Sequence, residues 1–252
     1  MLIHPTLDKI QQLRLHTMAK AFKEQLEQPA LAALSFEDRL GLLMDAEIIG
    51  RENRRLHTRL KKAKLHEPAC LEDIDYHSPR DLDRSLIATL AQCQWISLHQ
   101  NILIVGPTGT GKTFLACALA HKTCLTGYTA GYYRLSRLLS DLQLAKSDGR
   151  YGQWIEELAK LRLLVLDDFG LAPFTDEQRR DLLEILDDRH NRSSTIVTSQ
   201  LPVKLWHETI GNETLADAIL DRLVHNAHRL EVRGPSMRKL KALKALDVSE
   251  VK

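Results

Sequence analysis

The sequence predicts an α/β fold in which a five-stranded parallel sheet is covered by helices on both faces and preceded by a small all-helical domain. Three observations predict it. Apolar residues in the first 75 positions recur with helical spacing throughout. Beyond residue 100, short apolar runs alternate with helical segments, the pattern of a parallel sheet buried on both sides. The first of those runs leads straight into a glycine-rich turn and then a helix, and ligands on such sheets bind beyond the carboxyl ends of the strands.

Taken in order, Leu7, Ile10, Leu13, Met18, Phe22 and Leu26 mark one helical stretch that Pro29 ends. Ser35 caps a second helix, and Asp38 three residues later completes a capping-box pattern. Along that helix Leu42, Ala46, Ile49, Leu56, Leu60 and Ala63 form an apolar stripe, while Arg51, Arg55, Arg59 and Lys62 occupy another face. Residues 71–83 are acidic and flanked by Pro68 and Pro79, which places a domain boundary near residue 76. Ser78 and Pro79 are expected to open the next helix as cap and first-turn proline. The expected domains are thus 1–76 and 77–252. Strands are expected at 101–105, 128–133, 162–167, 194–199 and 228–232. Between them lie helices at 114–124, 135–146, 154–160, 176–190 and 216–225, the fourth opened by a Thr175/Gln178 capping box.

Composition excludes several classes. With 252 residues, 44% hydrophobic and 27% charged, the chain is neither disordered nor a membrane protein. No signal-like segment opens it and no apolar run approaches membrane-spanning length, so a cytoplasmic location is expected. Cys70, Cys93, Cys117 and Cys124 lack the spacing of a zinc site or a disulfide framework, and His225 and His228 have no neighbours to complete a metal cluster. The net charge of +2 conceals a separation: residues 51–64 and 222–244 each carry seven basic residues against one acid, and the rest of the chain sums to −10. The first segment reads either as a solvated surface helix or as a nucleic-acid contact through Arg51, Arg54, Arg55, Arg59 and Lys62.

After the strand at 101–105 comes Gly106-Pro107-Thr108-Gly109-Thr110-Gly111-Lys112-Thr113, which satisfies the P-loop pattern G-x-x-x-x-G-K-[ST]. The glycines let successive N–H groups turn inward on phosphate oxygens, and the following helix presents its positive end. Lys112 is positioned for the β- and γ-phosphates of ATP, and Thr113 for Mg²⁺. The run Leu163-Leu164-Val165-Leu166 then delivers Asp167 and Asp168 at a strand end. Asp167 is the expected second Mg²⁺ ligand, and Asp168 the residue that orients or activates the attacking water. A second carboxylate here favours an ATPase over a small-molecule phosphotransferase.

These residues resemble the AAA+ ATPases, and more closely the IstB-like transposition helper family of bacterial insertion sequences. The resemblance rests on LSFEDRL (34–40), ACLEDIDY (69–76), GPTGTGKT (106–113), LLVLDDFG (163–170), TIVTSQLPV (195–203), LADAILDRLVHNAHRLEV (215–232) and GPSMRK (234–239). It implies an ATPase that assembles as a homo-oligomer on double-stranded DNA with ATP between subunits, selects a target and stimulates a cognate transposase. It also implies a sensor-1 role for Thr198 or Ser199, an arginine finger at Arg222 and a sensor-2 arginine at Arg238. The wider AAA+ pattern has a helical lid after the last strand, whereas this sequence leaves room only for a short remnant. Asp168 stands where many relatives carry Glu, which implies modest hydrolysis that DNA or a partner stimulates. A replicative helicase loader, built on a similar core, is the alternative.

Overall fold

The computed structural model describes residues 5–78, 80–237 and 239, and the chain divides into two compact units, one up to Thr58 and one from Arg59 onward. In the first unit the expected single N-terminal helix is two, α1 (Pro5–Gln12) and α2 (His16–Glu27), because Arg14 adopts a left-handed backbone conformation. The helix α3 (Phe36–Ala63) begins after Ser35, whose hydroxyl accepts from the Asp38 N–H at 3.1 Å. The reciprocal half of the capping box is replaced by a hydroxyl-to-carboxylate hydrogen bond from Ser35 to Asp38.

The apolar stripe expected on α3 is not its packing face in this unit: Leu42 and Ile49 are exposed, whereas Leu43 and Glu47 are buried. The reason is the N-terminus of α2. Leu15 precedes that helix and has no side chain able to cap it, so the N–H groups of Thr17 and Met18 donate instead to Glu47 Oε2 at 2.8 and 3.0 Å. The other oxygen accepts from Arg51 Nε and Arg54 Nη2 at 2.9 and 3.1 Å. Burial raises the Glu47 carboxyl, but the Met18 and Thr17 amides and the Arg51 guanidinium outweigh it and hold the group at about 2. A folded-state value below the ordinary 4.5 stabilises the unit above pH 4.5, and that contribution fades as pH falls toward 2. Glu47→Gln should therefore cost about 1–3 kcal/mol at pH 7 and remove this component from the acid-unfolding curve followed by circular dichroism.

In the second unit the helix expected to open at Ser78 starts instead at Arg84. Asp83 is the cap, accepting from the N–H groups of Ser85 and Leu86 at 2.9 and 3.0 Å. Two short helices, α4 (Arg84–Ala91) and α5 (Gln94–Ser97), lead into β1 (Asn101–Val105). The order then runs α6 (Lys112–Leu125), β2 (Ala130–Arg134), α7 (Leu135–Ser147), α8 (Tyr151–Lys160) and β3 (Leu163–Phe169). It continues through α9 (Asp176–Arg189), β4 (Ser194–Ser199), α10 (Trp206–Ile210), α11 (Glu213–Val224) and β5 (Ala227–Glu231).

All five strands are parallel, in the order β2-β3-β4-β1-β5. Side chains alternate across the sheet. Leu103, Val105, Leu164, Leu166 and Val197 join α7 to α11 in one core. The intervening Ile102, Ile104, Leu163, Val165 and Ile196, equally buried, turn to the opposite face, where α6 packs on β1, β2, β3 and β4. The Thr175/Gln178 capping box opens α9 as expected. At the other end of α9 the buried Arg189 ties two layers, donating to Leu158 O and Leu161 O at 2.7 and 2.8 Å and to Ser194 O.

Candidate nucleotide site

At the carboxyl ends of β1, β3 and β4 lies a cavity of about 380 Å³. It is lined from the loop by Thr108, Gly109, Gly111, Lys112 and Thr113, and from the strand ends by Arg134, Asp167, Asp168 and Gln200. The loop backbone follows its sequence: Gly109 and Gly111 have φ of 83° and 95°, where only glycine is unstrained. A further constraint comes from far along the chain. A Cβ on Gly106 would stand 2.0 Å from Val232 O, and one on Gly109 would stand 2.3 Å from Ser236 Oγ. Residues 232–237 therefore run against the loop, with Val232 N–H donating to Val105 O and Met237 N–H to Gly109 O, each at 2.8 Å. This puts the GPSM part of GPSMRK beside the cavity. Arg238 lies outside the described residues.

The two expected Mg²⁺ ligands meet: Thr113 Oγ1 donates to Asp167 Oδ2 at 3.0 Å. Asp167, 1% exposed, also accepts from Tyr132 Oη at 2.5 Å and from Thr198 Oγ1. Burial, reinforced by the Asp167 hydrogen bond and charge, pushes the Tyr132 phenol upward and keeps it a donor. Lys112, buried at the base of the loop, donates from Nζ to Pro107 O at 2.8 Å, and Thr110 Oγ1 reaches the same carbonyl at 2.9 Å. Asp168 has φ of 64° at the irregularity where β3 slips against β4 between Leu166 and Phe169. That left-handed conformation, tolerated by Asp better than by most residues, turns its side chain from the sheet to the cavity wall.

The alternatives at the end of β4 separate geometrically. Thr198 Oγ1, besides bonding Asp167, accepts from the Asp168 N–H at 3.1 Å. Ser199 Oγ instead donates to Phe169 O at 2.8 Å and accepts from the Leu201 N–H. Both are fully buried, and the side chain from this strand end that lines the cavity is Gln200, which accepts from Thr108 Oγ1 at 2.6 Å. The motif TIVTSQLPV includes Gln200 at the sensor-1 strand end but gives the role to Thr198 or Ser199, and no motif marks Tyr132 or Arg134 on β2.

Arg222 lies at the other end of the sheet. Its carbonyl accepts from Asn101 Nδ2 at 2.9 Å, at the start of β1, and its Nε donates to Asp187 at 2.5 Å. The five residues of β1 separate it from the loop by roughly 17 Å at about 3.3 Å per residue. Of the basic row on α3, Arg51 and Arg54 engage Glu47, Arg55 pairs with Glu52 at 2.9 Å, Arg59 Nε donates to Cys124 O at 3.0 Å, and Lys62 is exposed. Among the described residues no helix is long and apolar enough to cross a membrane.

Residues 8–245 match the family model described as IstB-like ATP binding protein. The insertion sequence ATP-binding protein y4pL of Sinorhizobium fredii is 52% identical over 239 residues, 95% of this chain and 98% of the relative. The IS21 ATP-binding protein of Pseudomonas aeruginosa is 32% identical over 229 residues, 91% and 86% of the two chains. Among solved structures, the crystal structure of DnaI aligns with a TM-score of 0.58 at 19% identity, covering 67% of this chain and 95% of that one. The replication initiator DnaA bound to AMPPCP and single-stranded DNA aligns at 0.57 and 18% identity, covering 73% and 56%. At these identities the likeness is one of fold, the P-loop AAA+ arrangement.

Proposed function

The chain belongs to the IstB-like ATP-binding protein family of insertion sequences, and from that premise we propose that it is an ATP-dependent, DNA-binding regulator of transposition. It forms a homo-oligomer on duplex DNA, with ATP between subunits, selects a target and stimulates a cognate transposase. The observation that carries the enzymatic part is the convergence of Thr113, Tyr132 and Thr198 on the single buried carboxylate of Asp167 beside a P-loop.

Thr113 and Asp167 present hard oxygen donors, the set Mg²⁺ prefers, and would leave the ion's remaining positions to phosphate and water. When bound there, the ion supplies charge neutralisation at the β- and γ-phosphates. The chain's own residues do the rest. Lys112 moves its ammonium from Pro107 O to the phosphate oxygens. Tyr132 and Thr198 fix the Asp167 carboxylate by donating to both its oxygens. Asp168 orients or deprotonates the attacking water, a role within reach of a side chain held on the cavity wall. Gln200, tied to the tip of the loop through Thr108, takes the sensor position at the γ-phosphate, and Thr198 acts behind it through Asp167.

Arg222 cannot serve its own cavity from the far end of the sheet, so as a finger it serves a neighbouring subunit. The exposed cations of α3, Lys62 among them, offer phosphate contacts along DNA, with Arg51 and Arg54 also holding Glu47. A helicase loader would share the fold, but the relatives covering nearly the whole chain at 52% and 49% identity are insertion-sequence proteins. Electron microscopy of the protein with duplex DNA and a slowly hydrolysed ATP analogue tests the reading. Regular rings or filaments should form and should vanish with Lys112→Ala. Isolated monomers on bare DNA would overturn it.

A further inference from the structure

The motif ACLEDIDY has no role in the scheme above, yet Asp73 and Asp75 within it line the nucleotide cavity, together with Arg80 just beyond. Arg80 is 3% exposed. Its Nη2 donates to Asp75 O, its Nη1 donates to Thr110 O at 3.4 Å, and its own carbonyl accepts from the Arg233 N–H at 3.1 Å. Asp75 in turn closes the intervening turn, accepting from the His77 and Ser78 N–H groups at 2.8 and 3.2 Å and from Ser78 Oγ at 2.6 Å. The guanidinium thus bridges the turn at 75–78 and the phosphate loop, and the residue's own carbonyl ties in the stretch at 232–237.

Packing alone does not account for this placement. Arg80 Nε is buried without a hydrogen-bond partner among the described residues, and an unpaired buried donor is destabilising. An apolar side chain of similar volume would avoid that penalty. What the guanidinium does is hold a peptide. In a trans peptide the carbonyl and the following N–H point in opposite directions. Holding Thr110 O on the Arg80 side therefore turns the Gly111 N–H to the opposite side, and a P-loop presents its amides to phosphate. A Cβ at position 111, already strained by the φ of 95°, would also lie 3.0 Å from Arg80 Nη1.

We propose that Arg80 is a positioning residue of the nucleotide site, which fixes the Thr110–Gly111 peptide so that the Gly111 amide faces the phosphates and which anchors the LEDIDY segment to that loop. The inference rests on the reading of 106–113 as the ATP-binding loop. It adds a residue on the cavity wall that acts on phosphate affinity through the loop peptide it holds.

The test measures two quantities on the full chain: the dissociation constant of a fluorescent ADP analogue, and the melting temperature of the protein without nucleotide. Wild type should bind and Lys112→Ala should not; absence of binding by wild type would overturn the underlying ATP-site reading rather than the role of Arg80. Arg80→Met should weaken binding about ten- to a hundred-fold, the worth of one hydrogen bond to a charged group, while the melting temperature stays within a few degrees. Arg80→Lys, which keeps one donor for Thr110 O, should recover part of the affinity. Unchanged affinity in Arg80→Met overturns the proposal. So does a loss of affinity matched by a large fall in melting temperature, or a Lys variant no better than Met.

Discussion

Asp167→Asn is expected to lower ATP turnover about a thousand-fold while the protein remains folded. The carboxylate accepts hydrogen bonds from three hydroxyls on three different elements, α6, β2 and β4. An amide keeps the shape, and because hydroxyls can reverse their donor and acceptor roles, the structural cost is that of one or two weakened hydrogen bonds, about 1–2 kcal/mol. The chemical cost is larger. The negative charge at the end of β3 is lost, and with it the anionic donor of the Thr113–Asp167 pair. Transition-state stabilisation through a bound divalent ion is worth several kcal/mol, and each 1.36 kcal/mol is tenfold in rate. Phosphate release measured at saturating Mg²⁺ and ATP should show the loss, while binding of an ADP analogue in the presence of a chelator stays within a few-fold of wild type. Turnover within tenfold of wild type would mean that the reaction does not pass through this carboxylate.

The chemistry was legible where it is written in consecutive residues. Eight positions specify the loop, and an apolar run ending in two acids specifies the strand that faces it. β1 and β4 span the expected 101–105 and 194–199, although β1 opens on Asn101 and β4 is apolar only at Ile196 and Val197. Failures came wherever a side chain answers to a partner far along the chain. Nothing in the spacing along α3 singles out Glu47, which caps a helix thirty residues earlier in sequence. Ser78 and Pro79 have the composition of a helix start, yet Asp83 outcompetes them because it directs its carboxylate to two amides at once. Gly106 and Gly109 are needed for the approach of 232–237 as much as for their own backbone angles, a demand no local pattern reveals. Thr198 and Ser199 were indistinguishable because alternation along a strand says which face a residue takes but not which hydroxyl finds the carboxylate.

Arg222→Ala should nearly abolish turnover on DNA, by a factor of about 10³–10⁵ if the guanidinium acts as a finger, and the loss should be repairable by mixing. The competing account of Arg222 is a plain ion pair with Asp187, whose side chain is 49% exposed against 30% for the arginine. A pair so exposed contributes about 0–1 kcal/mol, so that account predicts little change in rate and only a small change in melting temperature. The two accounts differ by orders of magnitude. They also differ in geometry, because a residue at the amino end of β1 cannot reach the loop at its carboxyl end within one chain. A head-to-tail interface joins unlike surfaces of successive copies, so the loop of one copy meets the finger of the next. Asp167→Asn keeps its finger and its nucleotide but loses the catalytic carboxylate; Arg222→Ala keeps that carboxylate and loses its finger. Each alone should be inactive, but an equal mixture forms one productive interface in about four by random assembly, and turnover should return to as much as about a quarter of the wild-type rate. No recovery, with light scattering showing that the two variants still co-assemble, would remove Arg222 from the active site. Recovery would establish that the site is completed by a second copy.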